Sequence, residues 1–118
     1  GRAMQDDLDD GLDHLVKAGT VDPKRVCIIG ASYGGYAALW GAIRNPERYR
    51  CAASLNGVTD LEAQLRANRR QFTASRYFRE WRTKVAGEQK IDLATVSPLA
   101  QASRLKVPVL IAHAEKDA

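Results

Sequence analysis

Apolar positions along the chain change period several times, and each change marks an element. Met4, Leu8, Leu12, Leu15 and Val16 recur at three- and four-residue spacing, which predicts an amphipathic helix with that stripe turned inward. Asp6, Asp7, Asp9 and Asp10 crowd its first turns, where the helix dipole favours acids, and Gly19 suits its C-terminal cap. Asp22-Pro23 makes a turn, and a short apolar run, Arg25–Ile29, reads as a first strand. A second helical pattern runs from Tyr33 to Arg44 and stops at Asn45-Pro46, because proline disfavours a helical residue before it.

The same logic carries through the second half. Cys51–Leu55 is small and apolar, as a central parallel strand should be, and Asn56-Gly57 breaks it. Asp60 is placed to cap a helix through about Gln71. The stretch Thr73–Glu88 is less regular and reads as helical segments joined by loops. Ser97-Pro98 predicts the start of another short helix, with Ser97 as N-cap and Pro98 at the first position. Val107–His113 is the third strand. Strands alternating with helices predict an α/β fold with right-handed parallel crossovers and a doubly wound, mostly parallel sheet with flanking helices.

The junction of the first strand and second helix carries the chemistry. Val26-Cys27-Ile28-Ile29-Gly30-Ala31-Ser32-Tyr33-Gly34-Gly35 is a strand, a Gly-x-Ser-x-Gly turn and a helix start in immediate succession. This is the form of a nucleophile elbow, which lifts a catalytic serine above a parallel sheet. Ser32 would occupy a strained backbone position. Gly30 and Gly34 would flank it where a Cβ would crowd the turn, and Gly35 would let the helix approach the strand. The N–H of Tyr33 falls at the helix N-terminus, where it can meet a developing oxyanion. A serine hydrolase of this type needs Ser, then Asp or Glu, then His in chain order. Asp117, just beyond the third strand, falls at the same carboxyl end of the sheet as Ser32, where it could orient a histidine.

Composition narrows the alternatives. The chain has 118 residues, where an α/β-hydrolase domain usually runs nearer 200–250, so a part of such a domain, truncated at both ends, is expected. The net charge is +4, from 18 basic and 14 acidic residues, and the excess sits in Arg66, Arg69, Arg70, Arg76, Arg79, Arg82 and Lys84. These arginines alternate with Glu62, Glu80, Phe72, Tyr77, Phe78 and Trp81, which reads as a solvated amphipathic face and not as a nucleic-acid patch. The early aspartates lack the loop spacing of a calcium site. No apolar run is long enough to cross a bilayer. Cys27 and Cys51 read as free, buried, inert thiols.

The combination of motifs resembles the catalytic domain of the prolyl oligopeptidase family of serine peptidases, which includes dipeptidyl and acylaminoacyl peptidases. The resemblance covers nearly the whole chain. It rests on Met4-Gln5-Asp6-Asp7 leading to Asp22-Pro23-Lys24-Arg25, on Gly30-Ala31-Ser32-Tyr33-Gly34-Gly35-Tyr36-Ala37-Ala38, on Ser97-Pro98 before Val107-Pro108-Val109, and on His113 four residues before Asp117. It implies a partial α/β-hydrolase fold, with Ser32 as nucleophile, Asp117 as triad acid and the Tyr33 N–H as one oxyanion donor. It further implies that the Tyr33 ring, Val58 and Leu61 line the pocket for the residue before the cleaved bond.

The resemblance also implies an oligopeptide substrate, no metal or organic cofactor, and a β-propeller upstream in the parent protein. It leaves room for a homo-oligomer. This chain departs from the family in carrying His113-Ala114 where His-Gly is usual. The family's catalytic histidine lies some tens of residues beyond Asp117, and its second oxyanion donor, a tyrosine hydroxyl, lies upstream of Gly1. Neither His14 nor His113 suits the role of base, so the 118 residues alone are expected to be inactive. A carboxylesterase-like hydrolase on the same fold, and a non-catalytic hydrolase-like binding module, are the alternative readings.

Overall fold

Three short parallel strands carry the architecture, and the computed structural model describes residues 2–71, 75–86 and 91–115 around them. In chain order, α1 spans Ala3–Lys17, β1 Cys27–Ala31, α2 Tyr33–Arg44, β2 Cys51–Leu55, α3 Leu61–Gln71, α4 Ser75–Ala86 and β3 Val109–Ala112. Two short 3-10 helices, Leu93–Val96 and Ala102–Arg104, precede β3. The sheet order is β1-β2-β3, with both pairings parallel. Ile28 lies opposite Ala52, and Ala52 opposite Val109.

The strand alternation decides which side is covered. Ala52 and Ser54 are buried beneath α2, and β2 is the central strand, as its small side chains predict. On the opposite face Ile29 is 71% and Leu110 66% exposed. A strand that is apolar on both faces belongs to a sheet covered on both sides, so the sequence is that of a doubly wound sheet. The helical layer described here covers one of those faces. The core lies on that side. Tyr36, Trp40 and Ile43 of α2 meet Leu61 of α3 and Val96, and Val58, Ile91, Leu93 and Leu105 pack around them.

α1 docks differently from what its apolar stripe predicts. Met4, Leu8 and Leu15 are exposed, at 53%, 46% and 43%, while Gln5 and Asp9 are buried. The helix turns its acidic edge to α2 and the turn after it. Asp6 pairs with Arg44, Asp9 accepts from the Asn45 amide at 2.6 Å, and both carboxylate oxygens of Asp13 accept from Arg48. The aspartates therefore act as tertiary contacts, and Arg48 holds the Asp13 carboxyl below the ordinary carboxylate range. Gly19 (φ 73°) ends the helix as expected, its N–H bonding to Val16 and that of Thr20 to Leu15.

Two further expectations change. Cys27 and Cys51 are not free thiols but form a disulfide. They are register partners on adjacent strands, with Cα atoms 4.7 Å apart, and that proximity comes from strand pairing, which spacing in the chain does not reveal. Ser97-Pro98 does not open a helix. It lies in the turn between the two 3-10 helices, and the Ser97 hydroxyl instead accepts the Leu61 N–H at 3.1 Å and donates to the Leu93 carbonyl. Asp60 caps α3 as predicted, accepting from Glu62 and Ala63 N–H. Among the described residues of the less regular stretch, Ser75–Ala86 form one helix, α4, in which Arg76, Arg79 and Arg82 are good helix formers. Residues 72–74 and 87–90 of that stretch lie outside the described residues.

Candidate active site

β1 delivers the chain to Ser32 and α2 leaves from it at once, so the serine occupies the turn itself. Its backbone has φ 54° and ψ −121°, a conformation that non-glycine residues rarely adopt. Such an outlier persists only where its surroundings enforce it. Here the Ser32 N–H donates to the Leu55 carbonyl at 2.9 Å, and the Ser32 carbonyl accepts from Tyr36 N–H at 3.1 Å. The turn is thereby tied to β2 on one side and to α2 on the other. The serine side chain stands exposed.

The glycines divide the steric work unequally. A Cβ on Gly30 would collide with the carbonyl of Gly34, so the first flank must be glycine. A Cβ on Gly34 would meet open space, so the second flank does not crowd the turn as expected, and the Gly34 atoms that Gly30 approaches are backbone. A Cβ on Gly35 would come within 2.7 Å of Gly57 Cα and of the Ser54 hydroxyl. That confirms the close approach of α2 to the end of β2.

Tyr33 is the first residue of α2, and its N–H has no partner one turn back within the helix. Its ring is 36% exposed and lies 5.4 Å from the Tyr36 ring, centroid to centroid. The Tyr33 hydroxyl donates to Met4 Sδ at 3.3 Å. Burial pushes the Tyr33 phenol up, and the deeper Tyr36 phenol further, so both are neutral donors at physiological pH. The Tyr36 hydroxyl donates to the Val96 carbonyl at 3.0 Å and belongs to the core. A mainly apolar cleft of about 400 Å³ opens beside Tyr33, between the start of α2 and the exposed stripe of α1. Met4, Leu8, Gly34 and Ala37 contribute to its walls.

The other predicted residues separate. Val58 packs against the core, and Leu61 is buried within it at 4% exposure, in one cluster with Tyr36 and Trp40. Neither lines the cleft beside Tyr33. Asp117 lies outside the described residues, and the chain is described as far as Glu115 on its approach. His14 is exposed on α1, and His113 follows β3.

One residue at this end of the sheet escaped the sequence reading. Asn56, which the sequence marks as a strand breaker, has φ 47° and bonds to both Ala112 and Ala114. The Asn-Gly dipeptide was its signal, since asparagine is among the few side chains at home in a left-handed conformation.

Comparison with known proteins agrees with this geometry. The family profile described as the prolyl oligopeptidase family matches residues 1–118. Dipeptidyl aminopeptidase BIII of Pseudoxanthomonas mexicana is 34% identical over 119 residues, covering 97% of this chain and 17% of that protein. Dipeptidyl-peptidase 5 of Porphyromonas endodontalis is 30% identical over 122 residues, covering 99% of this chain and 17% of that protein. A puromycin-hydrolyzing peptidase of Mycobacterium tuberculosis superposes with a TM-score of 0.64 at 27% identity, over 86% of this chain and 15% of that one. An acylaminoacyl peptidase of Pyrococcus horikoshii gives the same TM-score at 24% identity, over 92% of this chain and 17% of that one, and supports the α/β-hydrolase fold. The chain thus spans about a sixth of the length of the relatives it matches.

Proposed function

Because the chain belongs to the prolyl oligopeptidase family, we propose that it supplies the nucleophile and the triad acid of a serine peptidase acting on oligopeptides. The observation that carries this reading is Ser32, exposed and held at positive φ between β1 and the N-terminus of α2. Its hydroxyl attacks the peptide carbonyl and forms an acyl-enzyme, and water then releases the acyl group. The Tyr33 N–H bonds to the oxyanion as charge develops there. Asp117 orients the base that takes the Ser32 proton and returns it to the leaving amine.

That base is a histidine from outside these 118 residues. His14 is exposed on α1, and His113 stands four residues before Asp117 in the chain. The isolated chain is accordingly inactive. The cleft beside Tyr33 receives the side chain before the cleaved bond, and its apolar wall favours an apolar residue there. Val58 and Leu61 pack in the core with Tyr36 and Trp40 and are not among the residues that wall this cleft.

The test uses the complete gene product and a panel of dipeptidyl and acyl-aminoacyl nitroanilides. Ser32→Ala should lower kcat roughly 10⁶-fold, and Asp117→Asn roughly 10⁴-fold. Turnover that survives Ser32→Ala would overturn the assignment. Fast cleavage of short acyl esters with no anilide cleavage would move the substrate class to carboxylesters.

A further inference from the structure

Asn56 sits where the ends of all three strands meet. The residue before it, Leu55, accepts the Ser32 N–H through its carbonyl at 2.9 Å. The Asn56 N–H donates to the Ala112 carbonyl at 2.8 Å, the last residue of β3. Its side-chain Oδ1 accepts the Ala114 N–H, also at 2.8 Å. Leu55, the last residue of β2, and Asn56 just after it therefore hold the nucleophile turn on one side and the chain leaving β3 on the other.

The side-chain bond requires the unusual backbone. Side chains within a strand stand roughly perpendicular to the sheet and cannot reach a neighbour's N–H in its plane. At φ 47° Asn56 has left the strand conformation, and its amide oxygen takes the place a carbonyl would hold if the ladder continued. The Ala114 N–H would otherwise lie beyond the last rung. Three residues later comes Asp117.

We propose that Asn56 is a positioning residue for the reaction, fixing where the chain that leads on to Asp117 leaves β3 relative to Ser32. This rests on the assignment of Ser32 and Asp117 above. Asn56 touches neither substrate nor the reacting atoms. It acts through Asp117, by fixing the direction in which the chain at Ala112–Ala114 leaves β3. Misplacing a catalytic group by about an ångström can cost up to roughly 100-fold in rate.

The test is a double-mutant cycle in the complete gene product, read with the best nitroanilide of the panel. Asn56→Gly keeps the left-handed backbone and deletes the acceptor. It should lower kcat roughly 10- to 100-fold with KM little changed. In an Asp117→Asn background the same substitution should have almost no effect, because the group it positions no longer works. Asn56→Asp retains both the backbone preference and the acceptor, and should hold kcat within about threefold. It also decides the matter if the glycine variant does not fold.

An equal loss in both backgrounds would make Asn56 a merely structural residue. Full activity of Asn56→Gly, or a tenfold loss in a folded Asn56→Asp, would equally overturn the proposal. Failure of the underlying assignment looks different, since Asp117→Asn alone would then leave kcat unchanged.

Discussion

The two sides of α2 are held by opposite kinds of interaction. Toward the sheet, the helix approaches so closely that Gly30 meets Gly34, and Gly35 meets Gly57 and Ser54, with no room for a Cβ at Gly30 or at Gly35. Toward α1, the contacts are Arg44 with Asp6, Asn45 with Asp9 and Arg48 with Asp13. The first interface fixes where Ser32 and the Tyr33 N–H stand. The second holds the helix that walls the cleft beside Tyr33. Steric contact tolerates no adjustment, because interiors are close-packed and backbone atoms cannot swing aside. The Arg44–Asp6 and Arg48–Asp13 pairs join half-exposed side chains, adjust readily and contribute little each, so only the Asn45 contact with buried Asp9 carries much weight on this side. The nucleophile is thus placed by the stiff interface, and the cleft wall is hung on the compliant one.

The sharpest way to break this contrast is Gly30→Ala. Its Cβ must displace the Gly34 carbonyl in the first turn of α2, and the expected cost is at or above the roughly 3 kcal/mol upper range of overpacking. Denaturant unfolding of the complete gene product measures it, and labelling of Ser32 by a fluorophosphonate should fall in parallel. Gly35→Ala should cost less, roughly 1–3 kcal/mol, since part of the obstruction is the Ser54 hydroxyl, which can turn.

On the compliant side, Asn45→Ala should cost about 1–3 kcal/mol, because it leaves the buried Asp9 carboxylate without its amide donor. Asn45→Ala should leave kcat almost unchanged and show its effect in stability or KM. A large fall in kcat would erase the distinction between the interfaces.

The smallest effect is expected from Asp13→Asn at the exposed Arg48 pair. Its sign with pH is fixed. Arg48 lowers the Asp13 carboxyl in the folded state, so the pair's contribution is present above the ordinary carboxylate value and is lost as pH falls through the folded one. The difference between the native protein and the variant should therefore vanish in acid, and a difference that grew there would contradict the pairing.

These contrasts also explain what could be read from the chain. α2 and β2 have the predicted bounds, Tyr33–Arg44 and Cys51–Leu55, because Gly-x-Ser-x-Gly, Asn45-Pro46 and Asn56-Gly57 are local stop signals. The strained serine, the clash at Gly30 and the cap at Asp60 were legible for the same reason. Each depends on neighbours within a few residues. The docking of α1 was not, since its partners Arg44, Asn45 and Arg48 lie some 35 residues away and an apolar stripe looks inward by default. The Cys27–Cys51 bond and the bridge from Asn56 to Ala114 are likewise products of strand register. Leu61 looked like a pocket residue from its place after β2, but the cap at Asp60 and the Ser97 hydroxyl start α3 there and carry the side chain into the core.

The central claim is that Ser32 is the nucleophile and that its activation needs a base outside these residues. The most direct measurement is mass-spectrometric mapping of the adduct formed by a fluorophosphonate, run on the complete gene product and on the 118-residue chain side by side. A single adduct on Ser32 in the complete protein, lost in Asp117→Asn and absent from the isolated chain, is the predicted result. An adduct on another residue of the complete protein, or rapid labelling of Ser32 in the isolated chain, would contradict it.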